Sequence, residues 1–336
     1  MKLRSVLALV ATVFTIACNP PAKTESSTIA PVAIRLAADW VAEPEHGGYY
    51  EALATGEYAK RGLDVKIIPG GPGVNVTQLV ATGAVEMGIG SNSFQVLTLA
   101  DQKVPVRAVA AFMQKDPQVL IAHPDVGINS IADMKGHPIL LSDASITGIW
   151  LWLKSKYGFS DDQVRKYNNS NAPFLADKRI VQQGYLMSEP YTIEKQGGIK
   201  PKVFLLADEG YPGYASLLLV SDKFRAEHPD AVKAFVEATA IGWKNYLHGD
   251  PAPADALIMK ANPEMSPDIL AQARDKMRDT GLVDSGDAAT DGIGAMTQAR
   301  WAAFFKIAAE HGVFPATLDY QSAYSLDYLP KPAAAQ

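Results

Sequence analysis

The feature that most constrains this chain is an alternation of short apolar runs with helical stretches that stops near Phe112 and then starts again. Val32–Leu36, Asp64–Ile68, Val85–Ile89 and Val106–Phe112 read as strands, and His46–Arg61, Val74–Thr82 and Ser91–Gln102 as the helices between them. The second series has strands at Val119–Ala122, Pro138–Leu141, Val164–Tyr167, Gly184–Ser188 and Val203–Leu206. Its helices fall at Gly148–Tyr157, Phe174–Gln182 and Tyr191–Gln196. Ala215–Val220 is a further strand, and from Asp222 the chain is mostly helical. Such alternation predicts parallel sheets covered on both faces. Two sheet-bearing halves followed by a helical third suggest a chain that builds one lobe, builds a second and returns. The outward crossing is expected near Phe112–Gln118 and the return near Asp208–Tyr214. The expected division is therefore 31–115 with 210–330 as lobe 1 and 116–209 as lobe 2.

The start of the chain stands apart from this pattern. Lys2 and Arg4 precede the apolar run Val6–Ala17, which is shorter than the roughly 20 residues that span a bilayer. Residues 1–18 read as a secretory signal. Thr15-Ile16-Ala17-Cys18 is similar to a bacterial lipobox, with lipidation at Cys18 and a flexible tether over 19–30. The alternative is cleavage near Ala17 and release as a soluble protein. Both place the mature chain in the periplasm or at the cell surface. Cys18 is the only cysteine, so disulfides and thiolate chemistry are excluded from the mature fold. With 31 Lys+Arg against 36 Asp+Glu and a net charge of -5, no basic surplus marks a nucleic-acid partner.

One stretch is specific. Asp39-Trp40, then His46-Gly47-Gly48-Tyr49-Tyr50-Glu51-Ala52, then Arg61-Gly62-Leu63-Asp64-Val65 and Val85-Glu86-Met87-Gly88 resemble the opening of the NMT1/THI5-like periplasmic solute-binding proteins. The likeness continues through Ser130–Gly136, Tyr157-Gly158-Phe159 and Gln182 to Tyr191. It implies an α/β, two-lobed type II periplasmic-binding-protein fold with two crossover strands and a helical C-terminal part. It also implies delivery of a small ligand, by a monomer without a cofactor, to the permease and ATPase subunits of an ABC importer. Ligands in that family include thiamine-precursor pyrimidines, flavins, aliphatic sulfonates, taurine and nitrate. A yeast branch is instead a thiamine-pyrimidine synthase that consumes its own histidine. That branch carries a cysteine-rich stretch, which this sequence lacks, although His46 aligns with the histidine.

Ligands of open α/β sheets bind beyond the carboxyl ends of the strands, and the expected site residues follow from that rule. Asp39 and Trp40 close the first strand. His46 and Tyr49 open a helix, where N–H groups favour an acceptor. Ser91 and Asn92 open another. In the second half Tyr185, Glu189 and Tyr191 flank a strand end, and Trp150 supplies a ring. Asp208 and Tyr211 stand at the return crossing. Trp and Tyr at strand ends, with little Arg or Lys there, point to a flat aromatic ligand rather than a sulfonate. A thiamine-precursor pyrimidine is the first expectation and a flavin the second. No P-loop, G-x-S-x-G or H-E-x-x-H occurs, so no catalytic or metal residues are expected.

Overall fold

Two five-stranded sheets carry the chain. The structure, a computed structural model, describes residues 30–146 and 148–329. Cys18, the signal and tether, and Thr147 lie outside them. The first sheet holds β1 (Val32–Ala37), β2 (Leu63–Ile68), β3 (Met87–Asn92), β4 (Val106–Met113) and β10 (Ala215–Ser221), in the order β2-β1-β3-β10-β4. The second holds β5 (Gln118–Ala122), β6 (Ile139–Leu141), β7 (Val164–Lys166), β8 (Val181–Tyr185) and β9 (Lys202–Leu205), in the order β7-β6-β8-β5-β9. The chain leaves the first sheet after Met113, enters the second at Gln118, leaves it after Leu205 and rejoins the first at Ala215.

The sheets are mixed rather than parallel. β10 runs antiparallel to both β3 and β4, and β5 antiparallel to β8 and β9. The reason is topological. Each of these strands starts where a crossing delivers the chain, at the edge that faces the other sheet, so it must run away from that edge. Local sequence carries no sign of this, because a buried strand reads the same in either direction.

Two helical expectations also change. His46–Arg61 is not one helix: Pro44–His46 is a 3-10 turn, Gly47–Ala54 the helix and Ala59–Arg61 another turn. The break falls at Gly56, whose φ of 72° is a left-handed conformation. The helix expected over Phe174–Gln182 ends at Ala176, and its last residues open β8. Gln182 and Gln183 are both buried. The Gln182 amide donates to Asn171 (2.8 Å), and the Gln183 side chain accepts from the Ser142 N–H (3.0 Å).

The long helix Pro229–His248 seats Gly47–Ala54 against the first sheet. Tyr58, Phe235, Trp243 and Tyr246 are buried there, with Tyr58 stacked on Phe235 at 4.7 Å. Among the described residues no helix is long and apolar enough to cross a membrane.

Candidate functional site

β1 and β3 end, and β10 begins, at one edge of the first sheet. β6 and β8 end, and β5 begins, at one edge of the second. A cavity lies between these edges. From the first side it is lined by Asp39, Trp40, Glu45 and Ser91. From the second it is lined by Gln118, Ser142, Ser145, Gln183, Tyr185 and Glu189. Among the described residues no lysine or arginine lines it.

The two halves touch around this cavity. The Trp40 and Tyr167 rings lie parallel within 7°, with centroids 6.2 Å apart. Trp40 thereby packs on the apolar cluster of the opposite half, which includes Tyr167, Phe174 and Ile193. Ser188 Oγ donates to Glu43 Oε2 at 2.8 Å, and Tyr191 OH to Asp268 Oδ2 at 2.9 Å. Beyond the Trp40–Tyr167 pair is an outer cleft lined by Tyr167, Glu43, Asn169, Ser170, Asn171 and Thr192, and Glu189 lines both spaces.

The polar walls are braced. Asp39 Oδ2 accepts from Ser91 Oγ at 2.6 Å, and its Oδ1 is 3.1 Å from His46 Nε2. Glu189 Oε2 accepts from the Tyr185 N–H at 2.7 Å, and its Oε1 from Tyr167 OH at 3.2 Å. On the second side Ser145 Oγ donates to Gln118 Oε1 and pairs with Ser142 Oγ, in a chain that ends at Gln183. Fixed dipoles of this kind orient a ligand without reorganising when it arrives.

Burial sets the charge state. Glu43 is pushed up to about 8, first by loss of solvent and then by the charge of Glu189 opposite. Burial, then Glu43, holds Glu45 well above the usual carboxylate range, and burial raises Glu189. Carboxyls without cations among them keep their protons when enclosed. Asp116, in the first crossing, is likewise pushed up to about 8 by burial, although Oδ1 accepts from the Gln118 N–H at 3.0 Å. An acid raised on folding binds more protons in the native state, so stability falls as pH rises from its ordinary value toward about 8. Calorimetric melting should therefore occur at lower temperature at pH 8 than at pH 5. Asp116→Asn, which keeps an acceptor for Gln118, should melt above wild type at pH 8 by several degrees and near it at pH 5. An unchanged slope would remove Asp116 as its source.

The structure brings together Asp39, Trp40, Ser91, Tyr185 and Glu189 from the residues expected above. It places the others elsewhere. His46 lies behind Asp39, lining a smaller void with Ile89 and Met113. Tyr49 is buried edge-on to Phe112, its hydroxyl 3.3 Å from Ser216 Oγ. Asn92 caps the helix Ser93–Asp101. Trp150 is in the core, donating to Asp161 Oδ1 at 2.8 Å. Tyr211 is buried against Phe94 and Trp152, and Asp208 sits exposed in a turn. Tyr191 lines an outer groove with Gln272 and Lys276. Glu45, Gln118, Ser142 and Gln183 were not singled out from sequence. A usable signal existed for Gln118 and Ser142, which directly flank apolar strands at the cavity edge.

Two α/β sheets joined by two crossings around a cavity define a periplasmic-binding-protein fold. The alkanesulfonate-binding protein SsuA of Xanthomonas axonopodis pv. citri superposes with a TM-score of 0.62 at 13% identity, over 88% of this chain and 98% of its own. The NMT1/THI5 like family model matches residues 43–254, and the chain belongs to that family. Its relatives include a riboflavin-binding protein, RibY, of Chloroflexus aurantiacus, 26% identical over 98% of this chain and 99% of that one. A formylaminopyrimidine-binding protein of Halalkalibacterium halodurans is 24% identical over 70% and 72%. A 4-amino-5-hydroxymethyl-2-methylpyrimidine phosphate synthase of Legionella pneumophila is 24% identical over 69% and 74%.

Proposed function

We propose that this protein is the extracytoplasmic solute-binding component of an ABC importer and that it closes on a small aminated heterocycle, a thiamine-precursor pyrimidine. The observation that carries this reading is the lining of the cavity. Asp39, Glu45 and Glu189 offer acceptors, Trp40 and Tyr185 offer aromatic faces, and no lysine or arginine among the described residues offers a counter-charge. A sulfonate or nitrate enclosed there would find no cation to pair with, leaving its own charge buried and uncompensated. An amino group on a flat ring meets acceptors and a stacking surface. Binding from both halves at once would hold the closed form, which is how hinged proteins of this architecture respond to ligand.

Binding rather than turnover is supported by His46. Its Nε2 is 3.1 Å from Asp39 Oδ1 and its ring is buried behind the cavity wall, a position suited to orienting Asp39. A flavin is the second reading. It is favoured by the relative that matches nearly the whole chain and by the outer cleft, where Asn169, Ser170, Asn171 and Thr192 could meet a polyhydroxyl tail. Calorimetric titration with formylaminopyrimidine, riboflavin and taurine decides among them. We expect micromolar or tighter binding of the pyrimidine and none of taurine. Binding of riboflavin alone would transfer the assignment to the flavin, and binding of taurine alone would contradict both.

A further inference from the structure

Of the carboxyls around the cavity, one keeps a buried oxygen without a partner. Asp39 is held by His46 and Ser91, Glu189 by Tyr167 and Tyr185, and Glu43 by Ser188. Glu45 lines the cavity with 6% of its surface exposed, and its Oε2 is buried without a hydrogen-bond partner. The groups around it are carboxyls and phenols, with one imidazole. Glu43, Asp39 and His46 come from its own segment, Tyr246 from the helix Pro229–His248, and Tyr185 and Glu189 from across the cavity. The guanidinium beyond Tyr246, that of Arg274, is 5.3 Å from the Tyr246 ring and is gripped by Asp255 at 2.6 and 2.8 Å. An ionised Glu45 would therefore be a buried charge beside other buried carboxyls, an arrangement proteins relieve by binding a proton.

We propose that Glu45 reads the ligand as a neutral carboxylic acid, its hydroxyl donating to a ring nitrogen and its carbonyl oxygen accepting from the amino group beside that nitrogen. The proposal rests on the pyrimidine reading above and makes Glu45 its specificity-determining residue. The site then selects an N–C–NH2 edge and rejects rings that lack either half of it. A lone uncompensated acceptor would otherwise be left buried against the ligand.

The test is calorimetric titration of formylaminopyrimidine between pH 6 and 8.5 with wild type, Glu45→Gln and Glu45→Ala, each confirmed folded by circular dichroism. A glutamine amide presents the same donor and acceptor without a titratable proton. Glu45→Gln should bind within about threefold of wild type at pH 6 with an affinity flat in pH. Wild type should weaken by up to tenfold per unit as pH rises, and Glu45→Ala should lose about tenfold or more. Glutamine binding no better than alanine, or wild-type affinity improving with pH, overturns the proposal. Wild type that fails to bind the pyrimidine at every pH while taking riboflavin or taurine overturns the pyrimidine reading itself and, with it, this assignment.

Discussion

Trp40→Ala is expected to weaken ligand binding by roughly 30- to 100-fold, about 2–3 kcal/mol, the range found for aromatic anchors in enclosed sites. The ring does two things at once. It forms part of the cavity wall, and it stacks on Tyr167 of the opposite half. Removing it therefore takes away ligand contact and a contact that holds the halves together. Trp40→Phe, which keeps a flat apolar face, should recover most of the loss. Titration of the three proteins with formylaminopyrimidine checks this. An alanine variant within threefold of wild type would show that the ring only packs against Tyr167.

Gly242→Ala should be among the most damaging single-methyl changes in the fold. A Cβ at Gly242 would stand 2.1 Å from the Gly48 carbonyl oxygen and 2.8 Å from Ala52 Cβ. The obstacle at Gly48 is backbone, which cannot rotate away. Alanine gains about 1 kcal/mol in helix propensity, but driving apart a packed helix pair costs about 3 kcal/mol or more. The net loss should lower the melting temperature by roughly 4–8 °C. The same displacement would shift Gly47–Ala54 and the preceding segment with Glu45, so ligand affinity should fall with stability. Calorimetry of the variant with and without ligand measures both. A melting point at or above wild type would mean the two helices are not in close contact.

Much of the architecture was legible because strand and helix leave different periodicities. β1, β4 and β5 fall within a residue or two of their expected limits. The direction of β5 and β10 was not legible, since it depends on where a distant crossing delivers the chain. The cavity lining was readable at Asp39-Trp40, just beyond β1, and at Glu189, which opens the helix after β8. It was misread wherever a large ring could serve either core or cavity. Trp150 and Tyr211 have the same chemistry as Trp40, and only tertiary packing assigns them to the interior. Gln118, Ser142 and Gln183 went unnoticed for the opposite reason. Polar side chains suggest surface; the place of Gln118 and Ser142 beside apolar strands was the one local signal, and their bonds to one another inside a wall depend on tertiary packing.

A crystal structure of the protein grown with formylaminopyrimidine tests the central claim most directly. The ring should lie in the cavity between the two sheets, its face on Trp40 and its amino edge toward Glu45 and Glu189. Density for the ligand on an outer surface, or a cavity that stays filled only by water at saturating ligand, would contradict it.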